Sequence, residues 1–260
     1  MATPRVIVSR SATANGTDAL HTSERIIRAA IALFNQRGIQ HVAVESIAAH
    51  LEISPGNLTY HFKRKRDLVH ATFNVLQERL SVVLKPTIPA GSAREGAEYL
   101  VNILRSFWEF RFFFNALTFL LSQDPKLREK YFKFQELALQ DIDAGFQEMI
   151  EKGQLRRIRH PNSTRLLAEN VWSQWLTWLR MQQLASPEAA IPEGQALYDS
   201  ALHHWSLLEP YFNQEFADAL LPLYRALLLN GDDTGKSRSK KKRADARIRP
   251  ARSGQRRNHG

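Results

Sequence analysis

Positions 56–66 read Gly-Asn-Leu-Thr-Tyr-His-Phe-Lys-Arg-Lys-Arg. Asn57, Thr59, Tyr60 and His61 carry hydrogen-bonding groups, no acid interrupts them, and four consecutive cations close the stretch. That combination suits a polyanion that must also be read: cations and hydroxyls hold phosphates, and small polar side chains reach base edges. On a helix turning about 100° per residue, Leu58 and Phe62 point one way together. Gly56, Asn57 and Tyr60 point the other way, with Thr59 and His61 on the flanks. We assign Gly56, Asn57 and Thr59 to the base-edge surface, and Tyr60, His61 and Lys65 to phosphates. Ser46, Ser54 and Lys63 complete the expected DNA-facing set.

Such a face has to be held by partner helices. Val44, Ile47, Ala48 and Leu51 follow the i, i+3, i+4, i+7 spacing of an amphipathic helix over 44–51. Glu52-Ile53-Ser54 is a short connection; Ser54 is a natural N-cap and Pro55 fits the first helical position. Upstream, Ile26, Ala30, Leu33 and Phe34 predict a helix over 23–37, capped by Thr22 or Ser23 and ended by Gly38. Downstream, Leu68, Val69, Thr72, Phe73, Leu76 and Leu80 predict a helix over 65–84, long enough to leave the head. The arrangement is a helix-turn-helix whose second helix faces the major groove.

The run Val44-x-x-Ile47-Ala48-x-x-Leu51-x-Ile53-Ser54-Pro55-Gly56-Asn57-Leu58-x-Tyr60-His61-Phe62, followed by Lys65-x-x-Leu68, resembles the DNA-binding segment of the TetR/AcrR family of bacterial transcriptional regulators. The likeness reaches back through Leu33-Phe34 and Ala29-Ala30 to Arg25 and covers roughly residues 22–76. It implies a dimer whose interface is built by the last two long helices, here 163–185 and the segment between 197 and 229. It also implies a connecting helix that transmits ligand-driven motion, and a first-helix N-terminus whose amides approach phosphate. Three positions depart from the family pattern. Val42, Ala43 and Val44 replace a common phosphate-touching Thr, with Ser46 as the substitute. Glu52 replaces a turn Gly, so a left-handed backbone there carries a small strain. Thr59 replaces an aromatic, which alters base preference.

Beyond the head the chain reads as helices. Ser92-x-x-Glu95 is a capping box. Phe107 to Phe114 is aromatic on nearly every side and should be surrounded by neighbours. Asp124-Pro125 caps a helix over 126–152 that stops at Gly153, and Asn162 or Ser163 caps the next, to about 185. One or two helices occupy 192–211, and the last spans 214–229 with Pro222 inside. Phe107, Phe110, Arg111, Phe114, Phe119, Trp172 and Trp175 are the candidates for lining an effector pocket, for an acyl or aromatic ligand. Two uses of Arg111 stay open: a stem covering apolar surface, or an anion anchor at the pocket mouth. Trp172 and Trp175 serve core or dimer packing, or line the pocket.

The chain has no cysteine, and its nine histidines show no metal-ligand spacing. No phosphate loop or nucleophile elbow occurs, so the sequence points to no enzyme and no cofactor. The start lacks a convincing signal peptide. The longest apolar stretch, 107–121, is interrupted by Glu109, Arg111 and Asn115 and is too short to span a bilayer. A cytoplasmic protein with no membrane partner is expected.

The net charge of +10 is unevenly placed: residues 81–230 carry 15 cations against 17 anions, whereas residues 231–260 carry 11 against 3. We therefore expect an all-α chain in four parts: a flexible arm over 1–20, a helix-turn-helix domain with its connecting helix over 21–84, a helical effector and dimerisation domain over 85–230, and a disordered basic tail over 231–260. The expected function is that of a ligand-responsive repressor binding a palindromic DNA operator as a homodimer. The alternative is a non-specific or architectural nucleic-acid-binding protein dominated by the tail.

Overall fold

In the computed structural model, residues 11–85, 92–185 and 193–229 are described, with side chains from residue 21 onward. The proline-containing break at 86–91 and the basic tail at 231–260 lie outside the described residues, as does the first half of the expected arm. Regular structure among the described residues is helical, apart from an isolated antiparallel bridge between Leu155 and Phe212.

The first helix, α1 (Ser11–Arg37), corrects the expected start near Ser23, since the second half of the expected arm is helical. Residues 11–20 lack an apolar stripe but contain alanines, and extending an existing helix costs far less than nucleating one. Gly38, at φ +79°, ends it as expected. Then come α2 (Val44–His50), α3 (Pro55–His61) and α4 (Lys65–Val83). Ile26, Ala30, Leu33, Phe34, Ile47, Ala48, Leu58 and Leu68 are buried together and form the core of the head. The burial of these apolar side chains, rather than intrinsic propensity, holds helices as short as α2 and α3.

The second part comprises α5 (Ala93–Glu109), α6 (Arg111–Asn115), α7 (Leu117–Gln123), α8 (Pro125–Glu151), α9 (Thr164–Ala185), α10 (Glu193–Leu208) and α11 (Gln214–Leu229). Ser92 Oγ accepts from the Glu95 N–H at 3.2 Å, the expected capping box. Asp124 Oδ1 caps α8 by accepting from the Lys126 and Leu127 N–H groups. α11 lies along α5 and α10, and α8 along α9.

The aromatic run does not continue α5. The helix breaks at Phe110, and short α6 aims successive rings at different neighbours. Phe112 meets Phe34 of α1 at 5.2 Å between ring centroids. Phe113 stacks on Phe73 of α4 at 5.1 Å, and Phe114 stacks on Phe107 at 4.8 Å. Phe107 in turn meets Trp172 of α9 at 5.5 Å. The run is therefore the joint between head and core, each ring pair adding about 0.5–1.5 kcal/mol beyond its area burial.

Candidate nucleic-acid interface and core cavity

The DNA-facing surface is organised by its turn. Leu51 and Ile53 close it, the Ile53 N–H donating to the Ala48 carbonyl at 3.1 Å. Between them Glu52 has φ +56°, the left-handed backbone its position implied. Ser54 Oγ then accepts from the Asn57 N–H at 3.1 Å, so α3 begins at Pro55. That cap uses the Ser54 hydroxyl, whose service to the interface is to set the start of α3.

Leu58 is fully buried and Phe62 nearly so, while Gly56, Asn57 and Thr59 are exposed. Tyr60 is 79% exposed, with its ring edge-on to that of half-buried His61 at 5.2 Å. Nothing in the fold needs a ring so far out in water. The Thr59 hydroxyl donates within its own helix, to the Pro55 or Gly56 carbonyl at 3.0 and 3.1 Å. Its oxygen, on an exposed residue, keeps its capacity as an acceptor. Ser46 Oγ likewise donates to the Ala43 carbonyl at 2.7 Å. Lys63 is exposed, and Lys65 is half-buried at the start of α4. Burial pulls the Lys65 ammonium below its ordinary value. The candidate residues thus lie along α3 and the start of α4, with Ser46 on α2.

Polar contacts that the sequence did not disclose tie this head to the core. Asn35 of α1 accepts from the Phe112 N–H at 3.0 Å and donates to the Glu109 carbonyl at 2.6 Å. It thereby bridges the backbone break between α5 and α6. His70 Nε2 lies 2.7 Å from Asp124 Oδ2, joining α4 to the cap of α8. Burial alone would raise the Asp124 carboxyl; the His70 bond and the two amide donors outweigh it and hold the group below the ordinary value. Arg79 pairs with Glu109 at 3.2 Å.

An apolar cavity of about 70 Å³, partly open to solvent, lies within the core. Its walls come from α5 (Gly96, Tyr99, Leu100, Ile103), α8 (Ile142, Gly145, Phe146, Met149), α9 (Val171, Trp175), α10 (His204, Leu208) and the stretch from Phe212 into α11. Of the seven expected lining residues, Trp175 takes part. Phe107, Phe110, Phe114 and Trp172 are buried but belong to packed layers outside this cavity. Phe119 is 46% exposed on α7. Arg111 is no anion anchor here: its guanidinium lies 4.5 Å from the centre of the Trp108 ring and donates to the Trp108 carbonyl at 2.9 Å. For Phe107 and Phe114 the physical reason is that the rings stack on each other, and Phe107 also meets Trp172 and Trp175 of α9.

Two lining groups reach further. Tyr99 donates its hydroxyl to the carbonyl of Leu84, the C-cap of α4, at 3.2 Å. Burial, reinforced by Asp141 and Glu148, raises the Tyr99 phenol well above its ordinary range, so it stays a donor. His204 is fully enclosed, stacked on Trp175 at 5.5 Å, and burial pulls it down to about 3, so it is neutral. In the sequence, a glycine in the middle of a long helix (Gly145) was the available hint to this place.

The sequence profile described as bacterial regulatory proteins of the tetR family matches residues 26–72, and the one described as bacterial transcriptional repressor, TetR, matches residues 75–220. The chain belongs to the TetR family. This TetR-family chain is a DNA-binding transcriptional regulator, and α3 is the second helix of its helix-turn-helix. A TetR-family transcriptional regulator from Marinobacter aquaeolei VT8 is 28% identical, with a TM-score of 0.65 over 78% of this chain and 97% of that one. The probable HTH-type transcriptional regulator YttP of Bacillus subtilis (strain 168) is 28% identical over 83 residues, 32% of this chain and 40% of that protein. The match thus spans well under two thirds of that relative. A transcriptional regulator from Saccharomonospora viridis, solved in complex with choline, shares the fold at 19% identity, with a TM-score of 0.58 over 75% of this chain and all of that one. No helix among the described residues is long and apolar enough to cross a membrane.

Proposed function

We propose that this TetR-family regulator is a ligand-responsive repressor that binds a palindromic operator as a homodimer in the cytoplasm. The observation that carries the reading is the path from cavity to head: Tyr99 lines the cavity and holds the end of α4, whose other end carries Lys65. A ligand that moves Tyr99 therefore acts on the helix that positions the interface. Neighbours of the same fold were solved with choline and with triclosan, in keeping with a small-molecule site.

The DNA-binding unit spans residues 21–84 and the effector and dimerisation unit residues 85–230. Asn57, Thr59 and Gly56 face base edges. Tyr60, His61, Lys63 and Lys65 face phosphates, with Ser46 beside them and Ser54 as the cap. One α3 of seven residues touches too few bases to specify a genomic site, and two-fold symmetry doubles the surface. For the interface, α9 and α10 offer exposed aliphatics: Leu166, Met181 and Leu184 on one, Leu202 on the other. α11 is set aside, because its apolar face is taken by α5 and its exposed positions include Asp218, Pro222 and Arg225.

Selection from a pool of random duplexes tests this. A two-fold symmetric sequence should be enriched, bound by two chains per duplex in sedimentation. Binding of all duplexes alike, with no sequence enriched, would favour the architectural alternative.

A further inference from the structure

Gly145 sits inside α8, a helix of 27 residues. Glycine weakens a helix interior relative to alanine, because its backbone loses more freedom on folding. A buried glycine is normally excused by a neighbour that leaves no room for a Cβ. Half-buried Gly96, also on the cavity wall, has a reason of that kind: a Cβ there would press on the Phe216 ring at 3.3 Å. Gly145 has none, since a Cβ built on it meets nothing within 4 Å. The chain bears the cost of a helix glycine and keeps the space beside it open.

The chemistry around that space is specific. No Asp, Glu, Lys or Arg lines the cavity, and aromatic rings make up much of its wall. Among the lining residues, the ring nitrogens His204 Nδ1 and Trp175 Nε1 are buried with no hydrogen-bond partner. Buried polar atoms without partners are rare and call for an explanation. His204 is held neutral by burial, so it offers one donor or one acceptor but no charge. Asp141 and Glu148 act on Tyr99 from beyond the lining, and each has a cation of its own, Lys85 acting on Asp141 and Lys152 paired with Glu148.

Resting on the reading of this cavity as the effector site, we propose that its ligand is an uncharged, ring-sized apolar molecule carrying one hydrogen-bonding group, seated beside Gly145 and held through His204 and Trp175. Carboxylates, acyl thioesters of charged carriers and ammonium compounds are disfavoured, because a charge here would lose its water and find no counter-charge among the lining residues, the acids beyond them being matched by their own cations. The cavity of about 70 Å³ is roughly half the size of an engineered cavity that takes up benzene. A ring therefore displaces part of the wall, and unbranched Met149 is the side chain there best able to yield.

The test uses the full chain with benzyl alcohol, benzoate and benzylammonium as matched probes, read by thermal shift and by calorimetric titration. Benzyl alcohol should stabilise the protein and the two ions should not. Gly145→Leu, which fills the space, should raise the melting temperature and abolish the benzyl alcohol response. His204→Phe should weaken binding by roughly 3- to 10-fold, the loss of one hydrogen bond. Circular dichroism confirms that each variant folds, and Gly145→Ala gives an intermediate response should leucine prove too large. Equal binding of benzoate or benzylammonium, no response to any probe, or wild-type response in both Gly145 variants overturns the proposal. DNA affinity measured alongside separates the two claims. If benzyl alcohol binds as described and DNA affinity stays constant, the ligand class stands and the effector role falls.

Discussion

Two short helices carry opposite designs. α3, seven residues long, turns its polar and aromatic side chains outward, with Tyr60 79% exposed. α6, five residues long, turns Phe112, Phe113 and Phe114 inward, and each is buried against a ring of another element. An aromatic is informative about binding when nothing in the fold employs it. Tyr60 meets that condition and the α6 rings do not. The apolar cavity accordingly lies away from the richest aromatic run, at a place marked by a glycine and two unpartnered ring nitrogens.

The largest effect that sharpens this contrast is on stability. Phe113→Ala should cost about 3–5 kcal/mol, because a fully buried ring stacked on Phe73 leaves a cavity. Tyr60→Ala should change stability by less than about 0.5 kcal/mol, being a surface substitution, while DNA affinity drops. Urea unfolding and binding titrations check both. A Tyr60→Ala protein as unstable as Phe113→Ala would erase the distinction.

The same distinction explains what could be read from the sequence. Local rules act over a few residues and leave signatures: Ser54-Pro55, Ser92 with Glu95, Asp124-Pro125 and Gly153 all stand where the caps and stops were expected. Glu52 adopts the strained backbone that its turn position demanded. The exposure of Gly56, Asn57, Thr59 and Tyr60 and the burial of Leu58 and Phe62 follow from helical geometry alone. Contacts between distant positions leave no such trace. Nothing in the spacing tells that Asn35 clamps the break at Phe110, that His70 meets Asp124, or that Arg111 rests on Trp108. Periodicity likewise says that Phe107 is buried without saying whether a ring or a ligand faces it.

A second effect probes the cavity through its histidine. His204 falls to about 3 in the folded chain, against an ordinary value of 6.5. Between those two values the unfolded chain binds the proton and the folded one does not. Stability contributed by neutral His204 is therefore complete above about pH 6.5 and is lost as pH falls toward about 3. At about pH 4.5 the loss should be on the order of 2 kcal/mol. His204→Phe removes this component, so its stability should fall less steeply with acid. Parallel stability–pH curves for the two proteins would show that His204 is not held neutral in the fold.

On the exposed side, the comparison sharpens into reading against anchoring. Thr59→Ala and Asn57→Ala should each lower the operator-to-random affinity ratio by about 1–3 kcal/mol. Lys65→Ala should instead weaken both DNAs by similar factors and reduce the salt slope by about one. Because the Thr59 hydroxyl donates within its helix, Thr59→Val, which keeps the methyl but not the acceptor oxygen, should behave like Thr59→Ala wherever that oxygen does the reading. Titrations at two salt concentrations on operator and scrambled duplex decide it. An unchanged ratio in all three variants would move base recognition off this face.

A modest change in stability joins the two regions. Tyr99→Phe removes one hydrogen bond, to the Leu84 carbonyl, and should cost about 0.5–1.5 kcal/mol. Its ring remains, so the apolar wall of the cavity keeps its shape. The altered quantity is coupling. If Tyr99 transmits ligand binding to α4, the variant still binds the cavity probe but releases DNA less when it does. Thermodynamic linkage makes the effect reciprocal: whatever factor the probe takes from DNA affinity, DNA must take from probe affinity. Both factors should shrink together in Tyr99→Phe, and measuring each independently guards against a variant that is merely unstable. A probe that lowers DNA affinity by the same factor in Tyr99→Phe as in the parent would place the transmission elsewhere. The His70–Asp124 contact between α4 and the cap of α8 would then be the next bond to cut.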